Sequence, residues 1–290
     1  MTRLAILLAM VVGATEATAP LPARQGPVFK TGIEIVELDV SVMRGGQPVI
    51  GLAAGDFAVT DEGVAQEIDS VTLDTLPLSV IVALDTSGSV SGDRLRHLLD
   101  AGDALARALR SDDRAALITF SHAIDLRVPL TGDMNAIRVA LHAITPGGST
   151  ALRDAVQLAL AFRPRDRTRS LLLVFTDGKD NASWLSADDV LDSARRAGIV
   201  VHVVRLESDA FLDQLAQATG GRTWSAGSDR QLRELFTRAL EEMRARYLLT
   251  YTPRGVKKPG WHALKVRVKS GGADVTARPG YFVATPSSSR

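Results

Sequence analysis

Five oxygen-bearing side chains in three separated stretches could together hold a hard divalent cation. They are Asp85, Ser87 and Ser89 in Leu84-Asp-Thr-Ser-Gly-Ser89, Thr150 in Gly147-Gly-Ser-Thr150, and Asp177 in Phe175-Thr-Asp-Gly178. Two carboxylates and three hydroxyls suit Mg²⁺, which prefers octahedral oxygen coordination at about 2.1 Å. Mn²⁺ and Ca²⁺ are the other candidates. Two carboxylates would neutralise such an ion. Brought together without one, they would repel each other and one pKa would rise. Asp, Ser, Thr and Gly are also ordinary turn and cap residues, so each fragment alone says little. The weight lies in all five occurring in order, each beside a segment that reads as regular structure.

Those segments have to deliver the oxygens to one place. Val80 to Leu84 is a continuous apolar run ending at Asp85, as expected of a strand covered on both faces of a parallel sheet. Leu171 to Phe175 is a second such run, ending two residues before Asp177. Leu95, Leu98, Leu99, Leu105, Ala106 and Leu109 form one helical stripe after the first motif. Gly102 lies on that stripe, which predicts a close helix–sheet approach. Strands at 115–120, 199–206 and 222–225, with a short edge strand at 124–130, alternate with helices at 134–144, 151–162, 187–197, 211–219 and 231–246. This alternation predicts an α/β fold: a doubly wound, mostly parallel six-stranded sheet with helices on both faces. In such a sheet, ligands bind beyond the carboxyl ends of the strands, where strand order reverses.

The flanks read as β. Val36, Leu38, Val40 and Val42 alternate with polar residues, and turns fall at Arg44-Gly-Gly-Gln47 and Asp61-Glu-Gly63. Tyr247 to Thr252, Leu264 to Val268, and Val275 to Val283 broken by Pro279-Gly280 follow the last helix. Each piece is too small to be stable alone. The predicted organisation is a leader at 1–19, a β segment at 29–75, the α/β domain at 78–245, a β segment at 246–284 pairing with the first, and a Ser-rich disordered tail at 285–290.

The D-x-S-x-S…T…D pattern resembles that of von Willebrand factor type A domains with a metal-ion-dependent adhesion site. The flanking residues Gly45-Gly-Gln-Pro-Val-Ile-Gly-Leu52, Asp56-Phe57, Asp61-Glu-Gly63 and Ala277-Arg-Pro-Gly-Tyr-Phe282 resemble the VWFA-related proteins described from Acidobacteria, over nearly the whole mature chain. The resemblance implies a binding module more than an enzyme. In a von Willebrand-like strand order the two carboxylate-bearing strands are neighbours at the reversal. By analogy, Ser87, Ser89 and Thr150 ligate directly, Asp85 and Asp177 act directly or through water, and one position stays open for a carboxylate from a partner protein or matrix ligand. Ser149, Lys179, Asp180 and Trp184 are expected on the rim. Trp184 could instead fold back onto its own domain.

Composition sets the bounds. The chain has 290 residues, 46% apolar and 23% charged, with net charge +1 and no cysteine. No nucleic-acid partner follows from that charge. Disulfides and thiolate chemistry are excluded. Arg3 followed by the nine-residue apolar run Leu4 to Val12 reads as a secretory signal, and nine residues fall short of the roughly 20 of a membrane-spanning helix. A secreted or periplasmic location is expected. Gly88-Ser-Val-Ser-Gly92 superficially resembles a nucleophile elbow, but Val90 holds the central position. A serine or metal-assisted hydrolase would need Ser91 as nucleophile with His202 or His262, and His202 falls inside a strand. The five histidines show no zinc spacing. The basic residues Lys257, Lys258, Lys265, Arg267 and Lys269 read as the solvated face of an edge strand. A purely structural module remains the third alternative.

Overall fold

The computed structural model describes residues 35–283 except 74–75, 165, 167 and 257–258. The expected leader, the first residues of the N-terminal β segment, the Ser-rich tail, Lys257 and Lys258 lie outside the described residues.

The central sheet has six strands in the order β11-β10-β9-β6-β7-β8. They are β6 (Leu78–Asp85), β7 (Arg114–Phe120), β8 (Ile124–Thr131), β9 (Arg169–Thr176), β10 (Val200–Arg205) and β11 (Thr223–Ser225). Only β8 runs antiparallel, along the outer side of β7. Every residue of β6 and β9 is buried, which is why their sequences run apolar without alternation. From β6 the chain works outward through β7 and β8, then returns to lay β9, β10 and β11 on the other side. Order therefore reverses between β6 and β9, which pair in parallel with Leu84 opposite Phe175.

Two layers of helices cover the sheet. One face packs against α1 (Asp93–Ala108), α2 (Met134–His142) and α6 (Leu232–Arg244), with Leu98, Leu105, Leu141 and Phe236 in the core. The other packs against α3 (Leu152–Ala161), α4 (Ala187–Ala197) and α5 (Ala210–Thr219), with Val156, Val190 and Leu212. The close approach at Gly102 is to a helix, not to the sheet as its stripe position implied. A Cβ there would sit 2.8 Å from Leu141 Cδ1 of α2.

The flanks interleave. N-terminal strands β1 (Val36–Arg44), β2 (Gln47–Pro48), β3 (Phe57–Asp61), β4 (Val64–Gln66) and β5 (Ser70–Leu73) combine with C-terminal strands β12 (Tyr247–Tyr251), β13 (Gly260–Val268), β14 (Asp274–Thr276) and β15 (Gly280–Val283). One sheet runs β14-β1-β12-β5 with β2 on β1; the other runs β15-β13-β3-β4. They share a core of Val36, Leu38, Val40, Phe57, Val59, Leu249 and Tyr251. The segment 275–283 is not one strand broken at Pro279. Its halves, β14 and β15, belong to different sheets. Strand β13 pairs with β15 over 260–263 and with β3 over 264–268, so the stretch with Lys265 and Arg267 has a ladder partner on one side. Its Lys265 and Arg267 are exposed because Leu264, Val266 and Val268 turn toward the core. Among the described residues no helix is long and apolar enough to cross a membrane.

Candidate metal centre

The carboxyl end of the central sheet brings Asp85, Ser87, Ser89 and Asp177 together. Asp85 closes β6 and is fully buried. Its Oδ1 accepts from the Ser87 backbone N–H at 2.9 Å, and its Oδ2 accepts from Thr176 Oγ1 at 2.6 Å. Ser87 Oγ lies 3.2 Å from Ser89 Oγ, and Ser89 Oγ donates to Asp177 Oδ1 at 2.8 Å. Ser87, Ser89 and Asp177 thus form a chain of touching oxygens.

The Thr150 stretch docks beside this chain through backbone bonds. Gly88 N donates to Gly148 O at 2.9 Å, and Gly147 N donates to Thr86 O at 2.8 Å. Gly148 has φ +82°, and a Cβ there would sit 2.0 Å from His122 Nδ1, so only glycine fits. Gly88 carries no such demand. Thr150 is buried, its N–H donating to Asn181 Oδ1 at 2.8 Å while its carbonyl accepts from the N–H groups of Asn181 and Ala182.

A cation is already present. Arg94, the second residue of α1, donates to Asp177 Oδ2 and, through Nε, to Asp229 Oδ1 at 3.1 Å. Burial alone would push the Arg94 guanidinium down, but the Asp177 carboxylate outweighs it and holds it above its ordinary value. Asp85 has no cation within ion-pair distance among the described residues. Burial raises its pKa, the hydrogen bonds from Ser87 and Thr176 oppose the rise, and the Asp177 charge adds to it. Asp85, Asp177, Asp229 and Arg94 sum to a charge of about −2, which a divalent ion would neutralise. Among the described residues no three His, Cys, Asp or Glu side chains are placed to hold a metal ion between them. With two carboxylates and neutral hydroxyls, the donor set fits Mg²⁺ and not zinc.

The rim residues part company. Ser149 and Lys179 are exposed, and Trp184 is 96% exposed rather than folded back. Asp180 turns inward. It accepts from the Arg153 backbone N–H at 2.8 Å and the Arg153 side chain at 3.1 Å, and from Ser183 Oγ. Burial raises its pKa, and these donors more than reverse that. Asp180 is a clamp on the start of α3. Arg94, Thr176 and Asn181 are site residues that spacing did not reveal. The only local signal for Arg94 was a basic residue in the first turn of the helix after Ser89.

Ser91 is exposed, and neither candidate histidine is free to serve it. His202 is fully buried, with Nε2 2.6 Å from Glu242 Oε2 and Nδ1 accepting from the Arg222 N–H. His262 is buried against Asp61, which also accepts from the hydroxyls of Tyr251 and Tyr281.

Residues 80–179, which carry all five oxygens, match the family model of the von Willebrand factor type A domain. An uncharacterized protein from Synechocystis sp. is 29% identical over 109 residues, covering 36% of this chain and 26% of the relative. The chain thus spans about a quarter of that relative's length. By fold it is similar to a von Willebrand factor type A protein from Catenulispora acidiphila, with TM-score 0.53 and 12% identity over 89% of this chain and 76% of that one. It is also similar to proximal thread matrix protein 1 of the mussel byssus, with TM-score 0.51 and 16% identity over 61% of this chain and 48% of that one. The matched segment holds both strands of the reversal and the three loops at their carboxyl ends, so the chain carries a von Willebrand factor type A domain.

Proposed function

We propose that this chain is a secreted or periplasmic, metal-dependent protein-binding module of adhesion type. Asp85, Ser87, Ser89, Thr150 and Asp177 would hold Mg²⁺, or Mn²⁺ or Ca²⁺ in its place. The bound ion supplies an electrophilic position for a carboxylate presented by a protein or matrix partner. Ser149, Lys179 and Trp184, all exposed, would border that position. The binding domain, 78–245, is carried by a β unit built from 29–75 and 246–284. The leader-like residues 1–19 support export.

The observation that carries the reading is Asp85. A fully buried carboxylate with no cationic partner is costly. Here it ends a strand at the sheet reversal, beside a second carboxylate and three hydroxyls. Against a hydrolase, His202 and His262, the two candidate bases for Ser91, are both buried and engaged elsewhere.

The test is thermal unfolding of the chain in EDTA and in saturating Mg²⁺. At about 100 times its dissociation constant, a ligand stabilises by about 2.7 kcal/mol. The midpoint should rise by roughly 5–10 °C. The rise should vanish in Asp177→Ala. No rise in wild type would leave the plain structural-module reading ahead.

A further inference from the structure

At the opposite end of the central sheet from Asp85, we infer a second site: the cleft between the α/β unit and the β14-β1-β12-β5 sheet binds an oxyanion, phosphate or carboxylate, on Arg163 and Arg278. The inference is independent of the metal centre.

The cleft is a cavity of about 760 Å³, within the size range of small-molecule sites and too large for a lone inorganic ion. Its floor is the outer face of that sheet, where Glu37 pairs with Thr250 and Asp39 with Leu248. Its roof is the amino ends of β9 and β10 and the last turn of α4. Charges on its wall are mostly spoken for. Asp39 accepts from Arg169 Nε at 2.8 Å, and Asp166 is bound by Arg114. Arg195 pairs with Asp192, and Arg196 lies 3.6 Å over the Phe282 ring.

Among the described residues Arg163 and Arg278 have no carboxylate partner, although the Arg278 guanidinium carbon also lies 5.8 Å from the centre of the Tyr281 ring. Among the described residues the Arg163 side chain has no hydrogen-bond or ion-pair partner. Its guanidinium carbon would lie 3.6 Å from a Cβ at Gly198, placing it against the carboxyl terminus of α4. Arg278 donates from Nη2 to the Glu37 carbonyl at 2.8 Å, while its Nε is buried with no partner. A buried unpaired N–H of a charged group is rare in folded proteins unless a ligand, ion or water completes it. Burial pushes the Arg278 guanidinium below its usual value; Asp39 opposes this and Arg163 adds to it. The one carboxylate left over, Glu37, has an exposed side chain. Planar guanidinium forks match phosphate and carboxylate oxygens in pairs. Thr72 adds a hydroxyl on the floor; those of Ser70 and Thr168 are hydrogen-bonded to Thr250 and Asp166.

The test is isothermal titration of the full chain, freed of metal on a chelating resin, with pyrophosphate and separately with citrate at constant ionic strength. Saturable one-site binding of at least one probe is expected. It should weaken about tenfold or more in Arg163→Gln and in Arg278→Gln. Arg238→Gln, on an exposed face of α6, should bind as wild type does. Asp177→Ala should also bind normally, which separates this site from the metal centre. Pyrophosphate preferred over citrate identifies a phosphate ligand, and the reverse a carboxylate. If Arg278→Gln does not fold, the exposed Arg163 decides the matter alone. Absence of binding by both probes, or equal weakening in Arg238→Gln, overturns the proposal.

Discussion

The two ends of the central sheet are left short of opposite charges. At the carboxyl end, Asp177 pairs with Arg94, and Asp85 has no cation among the described residues. At the amino end, Arg163 and Arg278 face a cavity whose acids are largely paired elsewhere. The lesson concerns how each imbalance arises. At the carboxyl end, the residues belong to one α/β unit and lie on loops leaving neighbouring strands. At the amino end, one arginine comes from the α/β unit and the other from the loop between β14 and β15. A sheet reversal creates the first by topology. The second exists only because the flanking β unit docks where it does.

Substitutions can break this contrast. The largest effect should come from Arg169→Met at the amino end. Its side chain is buried and holds Asp39, so loss leaves a carboxylate without its partner. We expect about 3 kcal/mol, at the low end for buried pairs because Asp39 still touches water, seen as a fall of roughly 6–12 °C in the unfolding midpoint. Gly148→Ala should follow, costing about 1–3 kcal/mol through its φ of +82° and the clash with His122. It should also lift the Thr150 loop, so the Mg²⁺-dependent rise shrinks more than the midpoint in EDTA does.

Arg94→Gln sharpens the contrast most directly. In EDTA it should cost no more than about 1 kcal/mol, since Arg94 is a third exposed. In calorimetric titration with MgCl₂ it should bind about tenfold more tightly, because a cation competing for Asp177 is gone. Weaker Mg²⁺ binding would mean that Arg94 organises Asp177 instead of competing for it. Trp184→Ala should do least. Its side chain is almost wholly in water, so the midpoint should stay within roughly 1–2 °C and the Mg²⁺ rise should persist.

The legible parts of the molecule were those coded by neighbours in the chain. β6 and β9 announced themselves as unbroken apolar runs because both of their faces are covered. Helix α1 announced itself by its leucine stripe. The candidate ligands were legible because each sits where an element ends. Arg94 was not, since its reach to Asp177 depends on how α1 leaves Gly92, whose φ is +59°. Asp180 looked like Lys179 and Trp184 in sequence, and only the start of α3 makes it a clamp. Gly102 showed that something comes close, but not that it is Leu141.

By itself, then, the sequence determined the element types, the α/β class and the five oxygens that could converge, because periodicity and motif order are local properties. Tertiary structure alone decided that β12 slots between β1 and β5, and β13 between β15 and β3. It also placed Arg94 on Asp177 and set Arg278 beside Arg163. Except for β13 against β15, these are contacts across 80 to more than 200 residues of chain. Hydrophobic pattern says that a face will be buried, but it carries no term for which distant partner buries it.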